Sequence, residues 1–228
     1  MKHSGKARKA AFKLILYSAV AILFVWALIG LGAVITALAM ASAPFLIVLW
    51  VLFAIFTLYF FRDPTPHVPM GGSLVVSPAH AKVDVIDTVN EPQFMGGECK
   101  RISMFLSVID VHVQNAPVSG KVAFLKYTIG QFLNAIKTES ALHNENVLLG
   151  FETAEAGGRK VGVRLIAGVI ARRIVPFVQQ GEEVLRGERI SLIQFGSRAD
   201  VYLPLTAKIA VKLGDKVVGG ETILAALD

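Results

Sequence analysis

Residues 181–193 read GEEVLRGERISLI, and residues 214–226 read GDKVVGGETILAA. Both follow the pattern G-[ED]-x-V-x-x-G-E-x-I. Each copy sets glycine where the chain must turn tightly and β-branched residues where strands pair. Outward from this repeat the texture is the same. SLVVS (73–77), KVDVIDTV (82–89), RISMFLS (101–107), VIDVHVQ (108–114), GKVAFL (120–125), NVLLGFET (146–153) and VGVRLIAGVIA (161–171) all have strand length and strand composition. The one helical candidate in this region is Gln131–Ser140. Residues 62–228 therefore read as a β-rich, mainly antiparallel α+β domain.

The repeat resembles the half-motif of biotinyl and lipoyl carrier domains, which implies a barrel-sandwich core. A carrier needs a lysine at a hairpin tip, normally beside methionine. Here the segment between the copies holds Gly196-Ser197 instead, so the architecture is expected without the carrier function.

The other end of the chain is different in kind. The 228 residues are 54% hydrophobic, with a mean hydropathy of +0.59. From Leu14 to Phe61 there is no Lys, Arg, Asp, Glu or His. A membrane span takes about 20 apolar residues, so this stretch has room for two. Phe12–Thr36 and Pro44–Phe61 are read as a transmembrane hairpin within residues 12–61, with the small-residue break ALAMASAPF (37–45) between them. Lys2, Lys6, Arg8 and Lys9 in the arm of residues 1–11, with Lys13 just beyond, set that flank on the cytoplasmic side. A hairpin that starts inside returns inside, which predicts a domain on the cytoplasmic face of the cell membrane. FRDPTPHVPMGG (61–72) reads as an extended entry to it.

The net charge is +6, but no stripe of basic residues interleaved with aromatics argues for nucleic acid. The basic arm suits anionic lipid head groups, at about 1 kcal/mol per side chain. The single cysteine, Cys99, excludes an internal disulfide. His80, Cys99, His112 and His143 lack the short spacing of a zinc site, so no metal is expected.

Gly196-Ser197 sits in LIQFGSRADVYLP (192–204). A serine hydroxyl after glycine in a strained turn can attack the preceding carbonyl, because glycine has no Cβ in the way. The amide becomes an ester when donors hold the oxyanion. Elimination then severs the chain and leaves dehydroalanine, which hydrolyses to a pyruvoyl group and ammonia. The ketone is a cofactor made from the chain itself, able to condense with an amine and take up the electrons of a decarboxylation.

FGSRADVYLP closely resembles the cleavage segment of phosphatidylserine decarboxylase proenzymes of the short bacterial and archaeal type. Residues 166–204 look like that family's C-terminal block, SMFLSVIDVHVQNAPVSGKV (103–122) like its central block, and GQFLNA (130–135) like the next. FFRDP (60–64) and VVSPAHAKV (75–83) look like its membrane exit and first soluble strand. The resemblance implies self-cleavage between residues 196 and 197, with Ser197 the pyruvoyl precursor and His112 an acid in the site. It also implies Arg198, Arg172 and Glu145 on the substrate, a membrane phospholipid, with the cleaved large and small chains staying together and a homodimer left open.

Three departures from the family pattern concern the same site. SPAHA places His80 where the family has the aspartate assigned to activating the serine, and a neutral imidazole can serve as that base. Gln114-Asn115 stands where the family reads Asn-Arg, and Asn144-Glu145-Asn146 where it reads Asn-Glu-Arg. Arg172, Arg173 and Arg198 remain as anion-binding candidates. Phosphatidylserine decarboxylation is the expected activity; the alternative is an anchored relative that binds anionic phospholipid without turnover or with altered specificity.

Overall fold

A computed structural model describes residues 6–133, 143–154, 157–168, 173–193 and 197–228. The chain divides into two compact units, Met1–Thr57 and Leu58–Asp228.

In place of the two expected spans, a single helix α1 runs from Lys6 to Phe60 without a break at residues 37–45. Pro44 lies inside it. Ser42 Oγ donates to the Ala39 carbonyl at 3.1 Å. Thr36 and Thr57 each donate to the carbonyl four residues back, at 2.9 and 2.8 Å. That satisfies their hydroxyls without water, as an apolar medium requires. Large apolar side chains such as Phe24, Trp26, Leu38, Trp50 and Leu58 are exposed along the helix. It is long and apolar enough to cross a membrane.

The second unit is built on an antiparallel half-barrel. Its strands are β1 (Leu74–Val76), β2 (Ala81–Glu91), β3 (Gly97–Leu106), β4 (Val113–Asn115), β5 (Gly120–Thr128), β6 (Asn146–Thr153) and β7 (Lys160–Ala167). They continue with β8 (Ile174–Pro176), β9 (Glu183–Val184), β10 (Arg189–Ile193), β11 (Ser197–Leu203), β12 (Lys208–Ile209), β13 (Lys216–Val217) and β14 (Ile223–Ala226). Eight strands form one sheet in the order β13-β2-β3-β11-β7-β6-β5-β9, and two three-stranded sheets, β1-β14-β12 and β4-β10-β8, complete the unit. Ile102, Met104, Leu106, Leu149, Phe151, Leu165, Val201 and Leu203 fill the core from the inner face. Each fully buried side chain of this size contributes about 1.5–3 kcal/mol.

The sequence repeat is the visible part of a deeper symmetry. β13 pairs with the start of β2 through Val217↔Ala81, and β9 pairs with the start of β5 through Val184↔Gly120. β14 lies between β1 and β12, just as β10 lies between β4 and β8. Even the irregularities match, with register shifts after Val83 in β2 and after Val122 in β5. All four repeat glycines that open or close a turn have positive φ: Gly181 (98°), Gly187 (83°), Gly214 (92°) and Gly220 (74°).

The entry segment is a strap across this symmetric pair. A Cβ on Gly220 would lie 2.7 Å from Pro66, and one on Gly187 would lie 2.3 Å from Val68. Farther along, Arg186 donates to the carbonyls of Pro69 and Leu74 at 2.8 and 3.0 Å.

Candidate active site

Ser197 is the first residue of β11, a central strand paired on both sides, with Leu106 at the end of β3 and Ala167 at the end of β7. β2 begins beside the end of β3, with Lys82 opposite Phe105. β6 begins where β7 ends, with Asn146 opposite Ile166. One end of the sheet thus collects His80, Ser197 and Glu145, which the sequence scatters. The six-residue turn after Leu106 brings the chain to His112, outside any strand and directly ahead of β4.

Side chains alternate along β11. Ala199, Val201 and Leu203 are core residues, so Ser197 faces inward with them and Arg198 faces the other side of the sheet. Ser197 is fully buried. Its Oγ has no hydrogen-bond partner among the described residues, an arrangement that buried hydroxyls avoid without cause.

His112 is fully buried as well. Its Nδ1 lies 2.8 Å from the Asp110 carbonyl. A carbonyl only accepts, so Nδ1 carries the proton and Nε2 is the basic nitrogen. Its backbone carbonyl accepts from Gln114 Nε2 at 2.6 Å and from Ile193 N at 3.1 Å. Ser191 Oγ in turn donates to Gln114 Oε1 at 2.6 Å. Gln114, at the first of the departures on β4, is therefore a clamp on the histidine rather than a ligand for an anion. Its neighbour Asn115 donates to the Gly187 carbonyl at 2.8 Å.

His80 has the opposite tautomer. Gly219 N–H donates to its Nδ1 at 3.3 Å, which leaves the proton on Nε2. The symmetry-related contact is Arg186 N–H to Ser119 Oγ at 3.0 Å, so this position carries a turn-closing acceptor in both halves. Burial pushes both imidazoles below the usual histidine range, and the Arg62 charge adds to the effect. The Asp110 carboxylate opposes it at both rings, Glu221 also at His80, and the Asp110 carbonyl also at His112. The two histidines thus share one electrostatic neighbourhood, set by Arg62 and Asp110.

Glu145 is nearly buried, and its carboxylate accepts a short hydrogen bond from the Tyr127 hydroxyl. Burial and then this bond push the Tyr127 phenol up to about 12. The Glu145 carbonyl accepts from Ala167 N at 2.9 Å, tying it to the strand that flanks Ser197. Arg173 is exposed, with its charge felt at Tyr127. Gly196, Arg172 and most of the helical candidate Gln131–Ser140 lie outside the described residues; Gln131 itself forms a bridge to Asn144.

Arg198 is fully buried on the far face. Its Nη2 donates to Asp84 Oδ1 at 2.5 Å and to Ser103 Oγ at 2.8 Å. Ser103 donates a short bond to Asp200, whose carboxyl burial pushes above the usual range. The Arg198 charge is thus spent inside the protein, with Asp84 as its counter-ion. Among the described residues no group of three or more His, Cys, Asp or Glu is placed to hold a metal. Sequence reasoning missed Asp110, Phe60 and Arg62, and it read Gln114 only as a departure from the family pattern. All four sit inside the family-like blocks, but their contacts run across the fold.

The family model described as phosphatidylserine decarboxylase matches residues 53–225. A phosphatidylserine decarboxylase proenzyme of Desulfotalea psychrophila is 42% identical over 200 residues, covering 87% of this chain and 92% of its own. One from Symbiobacterium thermophilum is 42% identical over 174 residues, 76% and 80% of the two chains. One from Paraburkholderia xenovorans is 39% identical over 204 residues, 89% and 94%.

Proposed function

The chain belongs to the phosphatidylserine decarboxylase family, and we propose that it matures by cutting itself at Gly196-Ser197 and then decarboxylates phosphatidylserine to phosphatidylethanolamine. The observation that carries the reading is the Ser197 hydroxyl: fully buried, without a hydrogen-bond partner among the described residues, at the head of a central strand. A group in that position suits a nucleophile kept from solvent.

His112 is the base for this step, with Nε2 unprotonated and the ring held neutral by burial. It takes the Ser197 proton as Oγ attacks the Gly196 carbonyl carbon. His80, with its proton on Nε2, serves as a donor to developing negative charge rather than as a second base. The resulting ester breaks by loss of the Ser197 α-proton, which releases the Gly196 carboxylate and leaves dehydroalanine. Water then replaces its nitrogen, which leaves as ammonia, and residue 197 becomes a pyruvoyl group. That group supplies the electron sink for decarboxylation. In the later reaction His112 returns a proton to the substrate carbon, while Glu145 and Arg172 orient the charged head group. Arg198, locked to Asp84 and Ser103, holds the new chain terminus in place.

The matched halves of the β unit support a lipoyl- or biotinyl-like barrel-sandwich. The uncharged stretch 14–61 would span about 70 Å as a straight helix, against a hydrocarbon core of about 30 Å. In a bilayer it therefore folds back at residues 37–45, and the β unit stands on the cytoplasmic side.

Intact mass of the purified full chain is the test. Two masses that sum to the full chain plus water less ammonia are expected, with one uncut mass for Ser197→Ala. A single full-length mass from the wild type, unreactive to hydroxylamine, overturns the reading.

A further inference from the structure

The helix end offers one side chain unlike the rest. Among the described side chains of α1, Phe60 alone is buried, at 1% exposure, while Leu58 is 77%, Tyr59 49% and the following Phe61 41% exposed. All four belong to the same compact unit as the β strands, which begins at Leu58. The Phe60 ring lies on the His112 imidazole, with centroids 4.3 Å apart and planes at 32°.

The next residues fasten that ring in place. Arg62 donates to the Ile109 carbonyl at 2.7 Å and to the Tyr59 carbonyl at 2.8 Å, and stacks over the Tyr59 ring at 4.0 Å. Ile109 belongs to the tight turn closed by Asp110 N to the Ser107 carbonyl at 2.9 Å and by Ser107 N to Asp110 Oδ2 at 2.8 Å. This turn supplies the carbonyl that sets the His112 tautomer. Asp63 then pairs with Arg189 of β10 at 2.6 Å. The segment FFRDP is thus tied to the turn ahead of the histidine and, through Arg189, to the strand that pairs with β4.

We propose that the membrane-exit segment is a working part of the active site, with Phe60 and Arg62 as positioning residues that hold His112 in its buried, Nε2-basic state. This rests on the reading of His112 given above. The physical case is steric and electrostatic. Phe60 is the cover over one face of the imidazole, so its loss admits water to a ring whose basicity is set by burial. Arg62 joins Tyr59 to the turn that orients the ring, within the same compact unit. The charged groups acting on His112 are Arg62 and Asp110.

The test uses the full chain in phosphatidylserine-containing bilayer discs, comparing Phe60→Ala, Phe60→Leu and Arg62→Gln with Leu58→Ala as control. The matured fraction of Phe60→Ala and of Arg62→Gln is expected to lose about tenfold or more in kcat, with KM within about twofold. The acid limb of self-cleavage, where His112 must be neutral, and the alkaline limb of turnover, where it must carry a proton, both move upward in pH. In the Ser197→Ala background, imidazole NMR shows the His112 titration shifted in the same direction without any turnover. Phe60→Leu, which keeps the cover, recovers most of the loss, and Leu58→Ala behaves as wild type. Unchanged kcat and titration in Phe60→Ala and Arg62→Gln overturn the proposal, as does a change in KM alone. If Phe60→Ala does not fold, Arg62→Gln decides by the same readouts. His112→Ala separates the two readings: a variant that still matures and turns over removes the role of His112 itself, whatever Phe60 does.

Discussion

Replacing Asp84 by asparagine leaves a fully buried guanidinium short of its counter-ion. Arg198 is 0% exposed and its Nη2 sits 2.5 Å from Asp84 Oδ1, while the Asp84 side chain is 31% exposed. Two unit charges about 4 Å apart interact by about 4 kcal/mol at an effective dielectric constant of 20. Removing one partner of a buried pair costs about 3–5 kcal/mol. Two features lower the figure here: the water that reaches Asp84, and the Ser103–Asp200 relay on the other side of Arg198. About 2 kcal/mol remains, or a melting shift of about 4–8 °C for a unit of this size. The measurement is thermal unfolding by circular dichroism of the full chain in detergent. It is made in the Ser197→Ala background so that maturation does not alter the molecule being melted. Arg198→Met alone and with Asp84→Asn completes a double-mutant cycle. The double variant is expected to recover part of the loss, since neither charge is then stranded. A melting point for Asp84→Asn within about 1 °C of its parent, or losses that add to within about 0.3–0.5 kcal/mol in the cycle, would refute the view of Arg198 as an internally paired anchor.

His80→Ser keeps an acceptor for Gly219 N–H, as Ser119 does in the other half, so stability should change by less than about 0.5 kcal/mol while self-cleavage slows by about tenfold or more for want of the Nε2 proton; equal cleavage rates would return His80 to a purely structural part. Because burial lowers the His112 pKa and the base must be neutral, cleavage of freshly translated protein should stay level down to about pH 6.5 and decline only below it. The same depressed imidazoles must gain protons in acid, so the fold loses stability as pH falls below about 6.5, and a rate that already declines above about pH 7 would contradict both. Single cysteines at Ser4 and at the exposed Leu213 should be labelled by a membrane-impermeant maleimide from the same side of the membrane, and only from inside. Labelling from opposite sides would show one crossing rather than two.

Much of this protein is legible in the order of its residues, and for local reasons. Strand periodicity is written in neighbouring residues, so KVDVIDTV, RISMFLS and NVLLGFET form β2, β3 and β6. The repeat marks its own turns because positive φ at Gly181, Gly187, Gly214 and Gly220 favours glycine. Ser197 stands out within a short segment, because Gly196 directly precedes it and the family-like cleavage pattern around it is contiguous. The apolar stretch marks itself by length and composition as able to cross a membrane, and α1 continues through its small-residue gap and Pro44.

What the sequence by itself determined, then, is whatever depends on residues near one another in the chain: the strands, the turns, the apolar segment and the Gly196-Ser197 motif. Only the tertiary structure decided which charges and protons the site holds. Arg198 looks like a substrate ligand until Asp84, 114 positions away, is found beside it. The sequence reading makes His80 the base and His112 an acid, and it takes Gly219 and Asp110 to show that their protons sit on opposite nitrogens. Hydrogen-bond direction, desolvation and ion pairing are set by neighbours in space, and a strand pattern is equally satisfied by many choices of neighbour.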